Sequence, residues 1–263
     1  MTFLERVGAD AVRRSHEICD TLAFTGEMFT AGVWQIFHPH RFRFGDFALA
    51  FERAASGGLA ISTGIGFLLG LILAFESAAA LSMFGVEVYV ADMLAIGLFR
   101  ELGPIVTAII LAGRSGSAFA AEIGTMKVDE ELDALATMGL DPVRFLVMPR
   151  ILAATLAMPI LTIFGELAGL LGGAIVLRLM DVPAVVYWDH VATTSGAFMI
   201  LFGLAKSALF GFLVAMIGCQ CGIHTRSTAD GVGNAATKAV VGGIVAIAVS
   251  DGLIAAVCYV WGI

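Results

Sequence analysis

Arg100 and Glu101 stand side by side inside a long apolar stretch, followed by Leu102, Gly103 and Pro104. A charge at membrane depth costs roughly 2.5–3.5 kcal/mol even on the lenient insertion scale, so its presence asks for a function. Neighbours on a helix do not face each other, so each of these charges needs a partner elsewhere. Such groups can relay a proton, contact a polar head group or tie spans together as a structural ion pair. Glu76, Glu166, Lys206 and Asp251 lie in or near other apolar runs and are the candidate partners. The sequence does not pair them.

A second set of polar residues lies between Glu122 and Pro142, a segment not apolar enough to span a membrane. Asp129 is placed to cap a helix, with Glu130 and Glu131 at its positive end. Val128, Leu132, Leu135 and Met138 fall near one face of that helix. Gly139 stops it, and Asp141-Pro142 reinforces the stop. A short amphipathic helix of this kind either docks on a partner or rests on lipid. The acidic first turn disfavours an anionic lipid surface. The sequence contains no Gly-Lys pair, and so no phosphate-binding loop, no Gly-x-Ser-x-Gly elbow and no His-Glu-x-x-His. If ATP is used, another chain binds it.

The elements that position these residues follow from composition. The chain has 263 residues, 59% hydrophobic and 14% charged, with mean hydropathy +0.93. Soluble domains run at about 45–50% apolar and about 25% charged, and a single compact core cannot hide this much apolar surface. Glycine is raised, at 31 residues, as close packing of membrane helices favours. The expected class is an all-α integral membrane protein of one domain, residues 1–263. Nucleic acid is not an expected partner, because no basic tail is present. The N-terminus lacks the layout of a secretory signal.

Apolar runs long enough to cross a bilayer predict five spans, at 57–84, 89–121, 145–180, 196–221 and 238–261. Pro104, Pro149 and Pro159 predict kinks. The 15 Lys and Arg residues all fall before span one or around the loops after spans two and four, except Arg100 and Arg178. The N-terminus is therefore expected in the cytoplasm and the C-terminus outside. Tyr89, Tyr187, Trp188, Tyr259 and Trp261 then form an outer aromatic belt. Before span one, Leu4, Ala11 and Ile18, then Leu22, Phe29 and Ile36, repeat at heptad spacing between charges. This predicts an amphipathic interfacial segment over 1–50, or a helix packed on a partner.

Small residues at helical spacing imply close helix contacts: Gly66 and Gly70 in span one, Ala108, Ala112, Gly116 and Ala120 in span two, and Gly169 and Gly173 in span three. Leu73, Ala80, Leu81 and Phe84 share an apolar face that could line an acyl-chain cavity, meet lipid or meet another helix. Cys19, Cys219, Cys221 and Cys258 fit no zinc spacing and read as packing residues. His38-Pro39-His40 reads as an interfacial turn rather than a metal site. No internal repeat is visible, which weakens an inverted-repeat carrier.

The block Phe99–Ala108 (FRELGPIVTA), then AGRSGSA from Ala112, AEIGTMKV from Ala121, Asp133-Ala-Leu and MGLDP from Met138 resembles the MlaE/YrbE permease family. The later AATKAVV from Ala235 fits the same family. The resemblance covers about Phe47 to the C-terminus. It implies a homodimeric permease of an ABC transporter in the bacterial inner membrane, with an interfacial N-terminal helix and five spans. The implied partners are two cytoplasmic ATPases carrying ATP and Mg, often a small STAS-domain protein, and a periplasmic MCE ring. The implied cargo is phospholipid. Residues 124–140 would be the coupling helix, with Asp129, Glu130, Glu131, Leu132, Leu135 and Met138 meeting the ATPase. Arg100 and Glu101 match the family's intramembrane pair. Leu73, Ala80, Leu81, Phe84 and Leu102 would line its lipid cavity. The family usually reads Thr-Glu-Gln where this chain has Asp129-Glu130-Glu131, which suggests a more basic partner groove. Two rival readings are a stand-alone ion-coupled carrier using Arg100 and Glu101, and a structural anchor for the MCE ring.

Overall fold

A computed structural model describes residues 24–28, 30–32 and 43–262. The heptad positions Leu4 to Ile36 of the expected interfacial helix, Cys19, His38 and His40 lie outside these residues. Among the described residues every regular element is helical. Five helices are long and apolar enough to cross a membrane: α1 Phe44–Phe84, α2 Glu87–Val128, α4 Val143–Leu179, α6 Ala197–Ile223 and α7 Ala229–Trp261. Two short helices connect them, α3 Glu131–Thr137 and α5 Ala184–Thr194. The chain is thus a multi-pass membrane protein. The end where α1 begins and α3 lies is called basal, and the end carrying α5 apical.

The five spans are those expected, but three helices run beyond the apolar windows. The first begins at Phe44 rather than Gly57, so residues 44–50 run on into the same helix as the first span. The second continues to Val128, and the last begins at Ala229. Apolarity marks the part of a helix that meets hydrocarbon, whereas the helix itself runs until a cap or turn ends it. At the start of α1, Arg43 pairs with Asp46 at 2.7 Å. The α7 start is capped by Thr228, whose Oγ1 accepts from the Gly231 amide at 3.2 Å.

Glycine and small residues set the packing of α1 on α4. The buried positions of α1 recur every four residues: Gly58, Ser62, Gly66, Gly70, Ala74 and Ala78. A Cβ on Gly66 would lie 2.2 Å from the Gly165 carbonyl oxygen, and one on Gly70 would lie 1.9 Å from that of Gly169. The register rises together on both helices, so α1 and α4 run parallel with their backbones in contact. In lipid no hydrophobic effect drives helices together, and such contact supplies dispersion and Cα–H···O attraction instead. On its other sides α4 meets α2 and α6 and forms the centre of the bundle, while α1 and α7 lie at the rim.

Two buried clusters result. The basal one joins Phe119, Ile123, Ile151, Met158, Phe210 and Val214 to Leu132 and Leu135 of α3. The apical one joins Ala74, Leu94, Leu98, Leu170 and Leu177 to Tyr187 and Val191 of α5. Helix α5 lies outside every predicted element, since only its aromatic residues stood out. It is pinned by the Tyr187 hydroxyl, which donates to the Leu170 carbonyl at 2.7 Å. Burial pushes the Tyr187 phenol up, which keeps it a donor.

Candidate functional site

Within α2, residues Gly97–Leu102 form a π-helical turn. A π turn widens the helix and re-aims side chains, and such turns concentrate at functional sites. Here α6 approaches the turn closely. A Cβ on Gly203 would lie 2.0 Å from the Phe99 carbonyl oxygen. One turn along α6 from Gly203, Lys206 enters the space that this contact opens. Its side chain is 1% exposed.

Lys206 is the centre of an ion network across three spans. Its Nζ donates to Glu101 Oε2 at 2.5 Å and to the Arg100 carbonyl at 3.4 Å. It also pairs with Asp251 of α7 and lies 5.9 Å from the centre of the Phe210 ring. Arg100 Nε stands 3.9 Å from Glu101 Oε1. Two cations and two carboxylates therefore meet at membrane depth, and a buried lysine is held by compensating charge. Of the four candidate partners, Lys206 and Asp251 join Glu101. Glu76 is exposed on α1. Glu166 is buried in α4 beside Gly103, where a Cβ would lie 2.6 Å from Glu166 Oε1. Neither belongs to the network.

The network is not sealed. Arg100 and Glu101 keep 37% and 38% of their side-chain surface. Charged groups open at this depth face water or protein rather than hydrocarbon.

The expected cavity face is only partly gathered. Leu73 and Leu81 are half-buried and pack against the apical cluster. Ala80 is exposed, and Leu102 is half-buried. The face breaks at its end, because the last α-helical residue of α1 is Leu81. Ser82–Phe84 form a tighter 3-10 turn that turns Phe84 outward, 78% exposed. The basal cavity beside Arg53 and Glu122 and the apical crevice beside Trp188 are lined by other side chains.

The acidic segment folds differently from its expected form. Residues 124–128 belong to α2, and Asp129 ends that helix, its amide bonded to the Thr125 carbonyl at 2.9 Å. Asp129 therefore caps no helix start. Glu130 makes a left-handed turn at φ 60°, and the short helix runs only over Glu131–Thr137, with no side-chain cap. Gly139 is the stop, at φ 74°. Its amide bonds Ala136, and that of Leu140 bonds Leu135, each at 3.0 Å, as a Schellman motif requires. Leu132 and Leu135 are buried in the chain's own basal cluster. Val128 is half-buried, and Met138 points away. The surface left open is acidic, with Glu131 and Asp133 in the first turn.

Two further polar clusters escaped the sequence reading. At the basal end Glu122 bridges Arg53 of α1 at 3.2 Å and Arg150 of α4 at 3.1 Å. At the apical end Asp92 accepts from the Thr194 hydroxyl at 2.6 Å and meets His190 Nδ1 at 3.2 Å, which ties α5 to the start of α2. The partners lie from 28 to 102 residues apart, so no local spacing announces them.

The family model for the MlaE permease matches residues 47–257, from the first turns of α1 through most of α7. The chain belongs to the MlaE permease family. The match takes in Arg100, Glu101, Lys206 and Asp251. Among similar proteins, a probable ABC transporter permease protein of Rickettsia prowazekii is 38% identical over 189 residues, 72% of this chain and 73% of the relative. The intermembrane phospholipid transport system permease protein MlaE of Haemophilus influenzae is 35% identical over 178 residues, 67% and 68% of the two chains. The chloroplastic protein trigalactosyldiacylglycerol 1 of Arabidopsis thaliana is 32% identical over 201 residues, 76% of this chain and 57% of the relative. Within this family, the five spans are those of a membrane permease.

Proposed function

We propose that this chain is the membrane subunit of an ATP-driven lipid transporter. Two copies form the permease and move phospholipid between the inner membrane and the outer envelope through a periplasmic MCE protein. The observation that carries this reading is the charge network at membrane depth. Its Lys206–Asp251 side is buried between α6 and α7, and its Arg100–Glu101 side stays open on a flank of α2. A second copy laid against that flank turns it into the wall of an internal cavity. Apolar residues of α1 and Leu102 then take acyl chains, and Arg100 and Glu101 face the head group. The rim positions of α1 and α7, with exposed Ile65, Ile72, Val245 and Val249, support pairing of two copies. The name of the Haemophilus relative supports phospholipid as cargo.

ATP and Mg are assigned to a separate cytoplasmic ATPase, because this sequence has no phosphate-binding loop. The basal end is then cytoplasmic, as the distribution of Lys and Arg favours. Helix α3 is the coupling element. Its acidic open face suits a basic groove, and its inward Leu132 and Leu135 carry any push into the basal cluster. A STAS-domain protein on the ATPase is compatible with this arrangement. In the working cycle ATP binding draws the ATPases together, α3 transmits the motion, and the cavity collapses so that lipid passes to or from the MCE ring.

Two results test the reading. Glu101→Gln should leave complex assembly intact and cut lipid transport by about tenfold or more, the weight of one charge-assisted hydrogen bond of roughly 1.5–3 kcal/mol. Wild-type transport in that variant removes Glu101 from the mechanism. Reversing the open acids of α3, as Glu131→Lys with Asp133→Lys, should lower recovery of the ATPase with the tagged chain by about tenfold, since like charges at a docked surface repel. Unchanged recovery places the ATPase elsewhere.

A further inference from the structure

A crevice opens at the apical end, away from the charge network. Its walls are Phe67 of α1 and Leu171, Ala174, Ile175 and Leu179 of α4, and Trp188 of α5 closes its apical end. Its volume is about 570 Å³, within the range of small-molecule sites. The crevice opens sideways, and Leu171, Ile175 and Leu179 are 54%, 49% and 72% exposed. They lie on the outward flank of a spanning helix, where the medium is acyl chain.

The polar end of the crevice is built rather than incidental. Arg178 lines it and is exposed, and its side chain makes no ion pair or hydrogen bond among the described residues. Among the described residues, every other Lys or Arg lies nearer the basal end or in the charge network around Arg100. Trp188 stands at the same level, with its ring edge against Tyr187 at 5.1 Å between centres. Tyr187 is tied to Leu170, and Gly173 leaves room for its hydroxyl. The roof is therefore held in place over the apolar walls. Apolar groove, cation and interfacial indole in this order match a phospholipid: chain, phosphate, head-group region.

We infer that this crevice is a phospholipid seat in the apical leaflet, with one acyl chain along α1 and α4 and the phosphate on Arg178. It differs in place and residues from the cavity proposed around Arg100 and Glu101, and it requires only that the chain spans a bilayer.

The test uses the full chain with Trp188 as its single tryptophan, made by Trp34→Phe and Trp261→Phe, in vesicles of chain-brominated phosphatidylglycerol or phosphatidylcholine. Both lipids should quench Trp188. In mixtures the anionic lipid should be preferred about fivefold, the effect of one favourable cation at the membrane surface. Arg178→Gln, a change to an exposed side chain, should abolish the preference and keep the quenching. Ala174→Phe should fill the crevice and weaken quenching in every mixture. No quenching by either lipid means that a second copy or another protein covers the crevice, and overturns the inference. So does a preference that survives Arg178→Gln, or quenching that Ala174→Phe leaves unchanged in a folded protein. None of these readouts depends on transport.

Discussion

Lys206→Met should destabilise the bundle by about 3–5 kcal/mol, the usual consequence of removing one partner from a buried ion pair. Methionine keeps the unbranched reach and most of the volume, so packing beside Phe210 is conserved. What is lost is the positive charge. Asp251, 20% exposed, then has no cation within reach among the described residues. Glu101 keeps only Arg100, at 3.9 Å, and its greater exposure lets solvent absorb part of the change. Asp251 therefore carries most of the penalty. Thermal unfolding in mild detergent should show a clearly lower midpoint, and a wild-type midpoint would mean that Lys206 is not held by these carboxylates. The compensated variant Lys206→Met with Glu101→Gln and Asp251→Asn should recover most of the stability, since a neutral set of similar volume needs no counter-charge. Its transport then separates the roles of the network. Stability without transport assigns the charges to the mechanism, and stability with transport makes them a structural clasp.

Gly70→Leu is the second large expectation. A Cβ at position 70 would lie 1.9 Å from the Gly169 carbonyl oxygen, and the obstacle is backbone, which cannot rotate away. The whole α1–α4 interface has to separate, and with it the contacts at Gly66, Gly165 and Gly172. Overpacking a fitted interior costs about 1–3 kcal/mol, and a backbone obstacle puts this site at or beyond the upper end. The matched control is Gly64→Leu on the same helix, where nothing lies within 4 Å. There the change should be neutral or slightly stabilising, as helix propensity favours leucine by up to about 1 kcal/mol. The comparison is read as monodisperse yield and midpoint of unfolding. Equal behaviour of the two variants would show that the glycine stripe does not hold α1 on α4.

The fold was legible in the sequence to different depths. Gly66, Gly70 and Gly169 announced close contact by their spacing, and the structure uses all three. Which helices would meet was not written there, because many spans carry small residues four apart. The Gly139 stop was readable from one residue type with a strong conformational preference. The Asp129 cap was not, since Asp129 favours a helix start yet ends a helix here. The left-handed Glu130 decided between them. The π turn at Gly97–Leu102 has no spacing rule of its own, and it sets where Arg100 and Glu101 point.

Hydropathy and charge placement were enough to establish an all-helical membrane chain with five spans, the acidic loop between the second and third, and charges at membrane depth that demanded partners. These are local properties, summed over a window of one helix. The pairing of Lys206 with both Glu101 and Asp251, the exclusion of Glu76 and Glu166, and the inward turn of Leu132 and Leu135 depend on the rotation and register of helices far apart in the chain. Rotation and register come from backbone contacts such as Gly66 on Gly165 and Gly203 on Phe99. Those contacts exist only once the helices have packed, so the partners of the buried charges are a property of the assembled bundle.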